Sequence, residues 1–268
     1  MHQLIAANWK MNKTINEAVS FIDEFKKLAK SPETKVSGEL KNQIFLSNIK
    51  NAEVVICPPF TSLHAVSKEL KNTSIKLGAQ NMHSENSGAF TGEISPLMLK
   101  DLGCEYVILG HSERREMGEN DELINKKVIA ALSHRLKPIL CVGETLEQRQ
   151  KGETEDVLED QLMKCLGGID KIKNVAIAYE PVWAISRGNP NQKAATKADA
   201  EECHFFIRKL LEGIFDEETA KGTRIIYGGS MKPENAKELL LMPNIDGGLV
   251  GNASLDAKSF AEIVESVR

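Results

Sequence analysis

The sequence predicts an α/β protein built as a single (β/α)8 barrel, and three observations support this fold class. Eight short apolar runs recur along the chain of 268 residues, and amphipathic helix patterns lie between them. Most of the runs are continuously apolar rather than alternating, which is typical of parallel strands that helices cover. The length also agrees, because a barrel of this kind typically has about 250 residues.

The eight candidate strands are spread along the whole chain. They are LIAAN at 4–8, EVVICPP at 53–59, IKLGAQ at 75–80, YVILGH at 106–111, PILCVGE at 138–144, VAIAYEP at 175–181, RIIYGGS at 224–230 and DGGLVGN at 246–252. A doubly wound open sheet is the competing architecture. It would usually carry a glycine-rich phosphate loop after its first strand, and no such loop follows LIAAN. The pattern therefore favours the barrel.

Three of the intervening helices have clear signals in the sequence. Thr14 and Glu17 form the T-x-x-E pattern of a capping box, which predicts that a helix begins there. Apolar residues then recur at helical spacing as far as position 29. The same spacing predicts a helix over 196–211 and a last helix from about residue 256.

One connection is longer than the fold requires. About twenty residues separate the first helix from the second strand, whereas connections of about 2–6 residues are usual in such folds. We interpret residues 31–51 as a peripheral insertion within a single domain that spans residues 1–268. Because the insertion follows a helix, we expect it near the N-terminal face of the barrel.

Composition and charge exclude several classes of protein. The formal net charge is −4, which gives no indication of a nucleic-acid or anionic-membrane surface. The N-terminal MHQLIAANWKMNK lacks the pattern of a signal peptide, and no apolar run approaches the roughly 18 residues of a membrane span. Five scattered cysteines form no C-x-x-C pair. We therefore expect reduced, buried thiols, of which Cys57 and Cys141 are the clearest, and a cytoplasmic location.

Polar side chains stand at the C-terminal ends of three predicted strands. Lys10 follows the first strand, His111 and Glu113 follow the fourth, and Glu180 ends the sixth. Each has an ordinary structural explanation, such as a solvated lysine, a satisfied histidine or a surface ion pair. All strand ends of one direction converge on one face of a barrel, however, so these residues should meet. Together they suit proton transfer beside a carbonyl, with Glu180 as base and His111 and Lys10 stabilising the developing oxyanion.

The last two strands end in glycine-rich segments that suit a phosphate group. They are Gly228-Gly229-Ser230 and Gly251-Asn252. Backbone N–H groups approach an anion closely only where bulky side chains are absent, although tight turns would explain the same glycines. No His, Cys or Asp cluster has the spacing of metal ligands, and neither an H-E-x-x-H pattern nor a P-loop is present.

Glu180 also runs directly into a segment with the composition of a hinged loop. Pro181, Val182 and Trp183 follow it, and Gly188, Asn189 and Pro190 come next. One interpretation is a surface turn after a strand. The other is a lid, which the predicted chemistry favours because its intermediate must be protected from water.

Seven stretches of the chain, in order, resemble the triosephosphate isomerase family. They are NWKMN at 8–12, AQN at 79–81, GAFTGEIS at 88–95, YVILGHSERR at 106–115, CVGET at 141–145, AYEPVWAI at 178–185 and YGGSM at 227–231. The resemblance covers nearly the whole chain and implies a TIM barrel. It implies interconversion of dihydroxyacetone phosphate and D-glyceraldehyde 3-phosphate in glycolysis and gluconeogenesis, without cofactor or metal.

The resemblance also implies a role for each residue of the reacting centre. Glu180 matches the base, and His111 matches an electrophile that acts as a neutral imidazole, as in the known scheme of this family. Lys10 matches the substrate-binding cation and Asn8 a neighbouring substrate contact. Supporting positions are matched by Ser112 and Glu113.

Further implied contacts concern the phosphate and a second subunit. The phosphate-binding positions of the family are matched by Ser186, through its backbone amide, and by Ser230, Gly251 and Asn252. The family usually forms homodimers, and the loop Asn81–Glu93 would reach into the partner, with Thr91 at its tip. Met11 matches the position against which that loop packs.

The chain departs from the family pattern in the lid, after the last strand and in the long connection at 30–51. The aligned lid is four residues longer, with Ser186 in place of its first glycine, and Asn252 replaces a second glycine. Asn tolerates a positive φ better than most residues, so the backbone path can persist. Two alternative functions remain: a catalytically silent barrel that binds ligands, and another phosphosugar isomerase or an aldolase. An aldolase would need a Schiff-base lysine within a strand, or a metal site.

Overall fold

Eight parallel strands form a closed barrel in the computed structural model, which describes residues 2–28, 52–185 and 195–268. Each strand pairs with the next along the chain, and the eighth pairs with the first. The predicted (β/α)8 barrel is confirmed. The predicted insertion at 31–51 and the lid residues 186–194 lie outside the described residues.

All eight strands lie within or at the edge of the apolar runs. Their bounds are β1 Gln3–Asn8, β2 Ala52–Cys57, β3 Lys76–Ala79, β4 Tyr106–Leu109, β5 Lys137–Val142, β6 Ala176–Tyr179, β7 Arg224–Tyr227 and β8 Gly247–Val250. Most runs extend beyond their strands at the C-terminal end. There glycine and polar residues leave the sheet, as Gly110 does with a φ of +71°.

Helices follow the strands on the outside of the barrel. The α-helices within the described residues are α1 Ile15–Leu28, α2 Phe60–Glu69, α3 Pro96–Asp101, α4 Ser112–Glu116, α5 Asp121–Ser133, α6 Leu146–Gln150, α7 Thr154–Cys165, α8 Lys197–Ile214, α9 Glu217–Gly222, α10 Pro233–Leu240 and α11 Ala257–Glu265. Two 3-10 helices, η1 Val182–Ala184 and η2 Asn252–Leu255, follow β6 and β8.

The predicted helix starts are found at the expected positions. The Glu17 carboxylate accepts hydrogen bonds from the Thr14 N–H and hydroxyl at 2.7 and 2.8 Å. Thr196 caps α8 in a full capping box with Asp199. Asp256 caps α11. These side chains satisfy amide groups that the first turn of a helix leaves without partners.

Two apolar layers fill the structure, one inside the barrel and one between strands and helices. The inner layer consists of Leu4, Ala6, Val55, Cys57, Tyr106, Ile108, Ile139, Cys141, Ala176, Ala178, Ile226 and Leu249. Strand residues alternate between faces, so Glu180 follows Ala176 and Ala178 on the inward side. The same alternation turns three more residues beyond or at strand ends toward the axis: Asn8, Gly228 and Gly251.

All five cysteines are buried and free. Burial raises the pKa of each thiol, to about 12 for Cys104 and Cys165 and about 11 for Cys203, which keeps them unreactive. Separately, no helix within the described ranges is both long enough and apolar enough to span a bilayer.

Candidate active site

A small cavity of about 40 Å³ lies at the mouth of the barrel, at the C-terminal ends of the strands. It brings together six of the predicted site residues. Its lining consists of Asn8, Lys10, His111, Glu180, Ile185, Gly228, Gly229, Leu249, Gly251 and Asn252. Ser112 and Glu113 stand directly behind this lining, through contacts with Glu180 and Lys10.

Two glycines make room for Glu180 between neighbouring strands. Its backbone N–H donates to the Val142 carbonyl at 2.8 Å, and its side chain is buried. A Cβ on Gly228 would lie 2.7 Å from Glu180 Cγ, and one on Gly143 would lie 1.8 Å from the Glu180 carbonyl oxygen. Either contact is too close for a real side chain. The role of Gly143 was not predicted, although it stands within the CVGET stretch.

The Glu180 carboxylate contacts both His111 and the start of α4. Its Oε2 accepts a hydrogen bond from the Ser112 N–H at 2.8 Å, and its Oε1 lies 2.9 Å from His111 Nε2. The second contact is close but not aligned as a hydrogen bond, so Oε1 remains unsatisfied. Burial alone would raise the pKa of Glu180, but the His111 ring, the Ser112 amide and Lys10 hold it below its usual value.

The Nδ1 atom of His111 accepts a hydrogen bond, which assigns the ring's donor role to Nε2. His111 is the N-cap residue of α4, and its Nδ1 accepts the Glu113 N–H at 3.2 Å. A nitrogen that accepts an amide N–H carries no proton, so the other nitrogen must be the donor. Burial is the largest single effect and lowers the pKa of His111, but the Glu180 carboxylate and the Glu113 charge together raise it above its usual value. This increase depends on Glu180 remaining in contact with His111.

Lys10 is fixed at both its backbone and its ammonium group. Its φ is +52°, a left-handed conformation that costs a side-chain-bearing residue roughly 1–2 kcal/mol. The Lys10 N–H donates to Asn8 Oδ1 at 3.1 Å, and Gln80 Nε2 donates to the Lys10 carbonyl at 3.0 Å. Its Nζ pairs with Glu113 Oε1 at 2.7 Å. Gln80 belongs to the AQN stretch, but its contact with Lys10 was not predicted.

The glycine-rich ends of β7 and β8 form the other side of the cavity. Gly228, Gly229, Gly251 and Asn252 line it. The first amides of a helix such as η2 lack helical acceptors, which suits an anion. Ser230 does not line the cavity, and its carbonyl accepts from Asn235 Nδ2 at 3.0 Å. Ser186 lies outside the described residues.

The start of the predicted lid is anchored to the loop after β5. Trp183 Nε1 donates to Glu144 Oε1 at 2.7 Å, and the Tyr179 hydroxyl lies 3.1 Å from both oxygens of Glu144. The Arg149 guanidinium stacks on the Trp183 ring, 4.3 Å from its centroid, and pairs with Asp199 of α8. Sequence reasoning missed this cluster, because its members lie on four separate segments.

Metal chemistry receives no support from the described part of the chain. Its His, Cys, Asp and Glu residues form no group of three that could hold a metal ion. Lys10, the cavity's lysine, follows a strand rather than lying within one. The aldolase alternative therefore finds neither of its requirements at this site.

The barrel and this site define a (β/α)8-barrel isomerase. Residues 3–267 match the family model described as triosephosphate isomerase. Proteins named triosephosphate isomerase are similar over nearly their full length: that of Dictyoglomus turgidum is 51% identical over 267 residues, covering 98% of this chain and 99% of the relative. That of Aquifex aeolicus is 50% identical over 268 residues, covering 99% and 100%. The chain belongs to the triosephosphate isomerase family.

Proposed function

We propose that this protein interconverts dihydroxyacetone phosphate and D-glyceraldehyde 3-phosphate through an enediolate, as a step of glycolysis and gluconeogenesis. The observation that carries the proposal is the meeting of three groups in one cavity: the Glu180 carboxylate, His111 Nε2 and Lys10 Nζ. A base, a neutral donor and a cation are the groups that proton transfer beside a carbonyl requires.

The reaction begins when the substrate carbonyl displaces Glu180 from His111. The carbonyl oxygen then accepts the Nε2–H, and Lys10 supplies positive charge beside it. As the carboxylate leaves, it loses the groups that hold its pKa down, while burial continues to raise it. Glu180 therefore becomes a stronger base at the moment it reaches the substrate.

Proton transfer then follows in two steps. Glu180 removes a proton from the carbon next to the carbonyl, and the electron pair of that C–H bond forms the carbon–carbon double bond of the enediolate. The carbonyl electrons move to oxygen, where His111 and Lys10 stabilise the charge. Protonated Glu180 returns the proton to the former carbonyl carbon, while His111 Nε2 protonates the former carbonyl oxygen and takes the proton of the neighbouring hydroxyl, whose oxygen becomes the new carbonyl; no external oxidant is needed.

The assembly that fits this function is a homodimer through the loop Asn81–Glu93. Lys127 Nζ donates to Asn81 Oδ1 at 3.0 Å and so anchors the start of the loop. Met11, Phe90 and Met117 expose apolar side chains, with Met11 96% exposed, and such surfaces are typical of protein contacts. Sedimentation equilibrium at micromolar concentration tests this assembly, and a mass of one chain would contradict it. A cytoplasmic location is proposed with it, because reduced thiols persist there.

Turnover of D-glyceraldehyde 3-phosphate by the wild type and by Glu180→Gln tests the proposed activity. Loss of a general base typically costs about 10²–10⁴-fold in rate, so a clear loss of kcat is expected. Wild-type turnover no faster than that of the variant would overturn the proposal. If the wild type bound a phosphorylated analogue without turnover, a catalytically silent binding protein would replace it.

A further inference from the structure

Lys13 adopts a backbone conformation that its residue type disfavours. Its φ is +74°, in the left-handed region that glycine enters without a steric penalty. It lies three residues after Lys10 in the loop between β1 and α1. A glycine would suit this backbone conformation better, so we looked for a role in the contacts of the Lys13 side chain.

The Lys13 ammonium group joins two segments that are distant in sequence. Its Nζ donates to the Leu255 carbonyl at 2.7 Å. The same Nζ lies 5.4 Å from the Trp9 ring centroid and 4.9 Å from that of Phe21, within the range of cation–π interactions. Burial lowers the pKa of Lys13, while the charges of Glu17 and Asp256 raise it in part.

Leu255 is the last residue of η2, and the first residue of the same short helix, Asn252, lines the active-site cavity together with Gly251 just before it. Ser254 makes this helix a compact unit, since its hydroxyl lies 2.9 Å from the Val250 carbonyl and 2.7 Å from that of Gly251. Ser254 is also completely buried. A displacement of Leu255 would therefore be passed to Gly251 and Asn252.

The other partner of the ammonium group leads to the catalytic lysine. Trp9 is fully buried, packs edge-on against Phe21 with centroids 4.9 Å apart, and directly precedes Lys10. On the cavity side, a Cβ on Gly251 would lie 3.6 Å from Lys10 Cε. The segments carrying Lys10 and Gly251 therefore meet twice, once in the cavity and once through Lys13.

We propose that Lys13 is a positioning residue that fixes the spacing between Lys10 and the phosphate-facing amides at Gly251 and Asn252. This inference rests on the proposed function, because it takes the ligand to be a phosphorylated triose. Lys13 does not line the cavity. Its effect is on how well the phosphate group is held, through the Leu255 carbonyl and the Trp9 ring.

The experiment compares Lys13→Met, Lys13→Arg and the wild type on two substrates, D-glyceraldehyde 3-phosphate and glyceraldehyde, which lacks the phosphate. Lys13→Met should raise KM for the phosphorylated substrate roughly tenfold, below the ~10²-fold that a 1 Å misplacement can cost. Its kcat should change little, and kcat/KM for glyceraldehyde should not change. Lys13→Arg keeps a charged donor that can stack on Trp9 and should restore KM.

Exposed Lys258, three residues beyond Leu255, provides the matched control through Lys258→Met. This variant should behave as the wild type. If Lys13→Met folds poorly, Lys13→Gly removes the same side chain together with the backbone strain and should raise KM likewise. Equal losses on both substrates, or an unchanged KM in Lys13→Gly, would overturn the inference.

Calorimetry with inorganic phosphate separates failure of this inference from failure of the proposed function. Phosphate should bind Lys13→Met roughly tenfold more weakly than the wild type, whether or not the wild type turns over triose phosphate. Equal phosphate affinity would overturn the positioning role while leaving the isomerase activity untouched. Absent turnover with weakened phosphate binding would support the role and contradict only the activity.

Discussion

Both ends of the barrel carry charged residues, but the charged cluster at the N-terminal end is fully hydrogen-bonded, whereas buried polar atoms at the mouth are not. At the N-terminal end, Arg224 pairs with Glu53 and donates to the Tyr106 hydroxyl at 2.7 Å. Lys137 lies 3.4 Å from Glu53 and 3.6 Å from Glu105. No buried side-chain atom of these five residues lacks a hydrogen-bond partner. We call this set the lower charge network.

The mouth of the barrel uses the same residue types with a different outcome. Glu180 Oε1 and the Ser112 hydroxyl are buried without hydrogen-bond partners there. Buried polar groups are normally satisfied, because leaving one unpaired costs about 1–3 kcal/mol. Charge at strand ends therefore does not by itself identify a site. Buried polar atoms without hydrogen-bond partners, next to a cavity that glycine residues leave open, are the better indication of a site.

The largest expected effect comes from filling the space that glycine leaves at the mouth. Gly228→Ala would place a Cβ 2.7 Å from Glu180 Cγ and 3.0 Å from the Tyr179 carbonyl oxygen. The carboxylate must move, and we expect kcat/KM to fall about 10²-fold. Steady-state kinetics measure this loss. Gly213→Ala in α8 is the matched control, because among the described residues nothing beyond the backbone of its own helix lies within 4 Å of the new Cβ.

The control should slightly stabilise the protein, since alanine favours a helix by up to about 1 kcal/mol over glycine. Its kinetics should match the wild type. If Gly228→Ala retained full activity, the close approach of Glu180 to the end of β7 would not matter for catalysis. The close packing of Glu180 against a glycine would then not be what makes the mouth functionally different from the N-terminal end.

The second-largest expected effect is a loss of folding stability without a change in catalysis. Arg224→Met in the lower charge network leaves Glu53 with Lys137 as its remaining cation partner. Breaking a buried ion pair typically costs 3–5 kcal/mol, but these side chains are 17% and 22% exposed, so we expect about 2 kcal/mol. Urea unfolding measures this cost. Unchanged kcat and KM should accompany it, and a large fall in kcat would contradict the separation of the two ends.

The sequence predicted one end of the barrel far better than the other. Glu180, His111 and Lys10 could be placed together because the direction of parallel strands alone brings their C-terminal ends to one face. The Arg224–Glu53 pair could not, since its members are 171 positions apart and only the closed register makes them neighbours. The role of Gly143 could not be predicted for the same reason. It must lack a side chain because of Glu180, which directly follows the neighbouring strand β6.

The smallest expected effect concerns the pH dependence of the lower charge network. Burial would raise the pKa of Glu53, but hydrogen bonds from Arg224 and Tyr106 and the charge of Lys137 bring it below the ordinary value of 4.5. A lowered pKa means that folding favours the ionised form. The resulting stability is present above pH 4.5 and is lost as the pH falls through the lower, folded-state pKa.

Glu53→Gln removes this contribution, so its cost should itself depend on pH. We expect the variant to be less stable than the wild type by about 1 kcal/mol at pH 7, and the difference to shrink at pH values below 4.5, as urea unfolding would measure. Glu147→Gln at a 77% exposed carboxylate should have almost no effect at either pH. A cost for Glu53→Gln that stayed constant on acidification would mean that shape and hydrogen bonding, rather than charge, hold this end of the barrel together. The lower charge network would then share its charged residue types with the mouth, but its charges would not be what stabilises the fold.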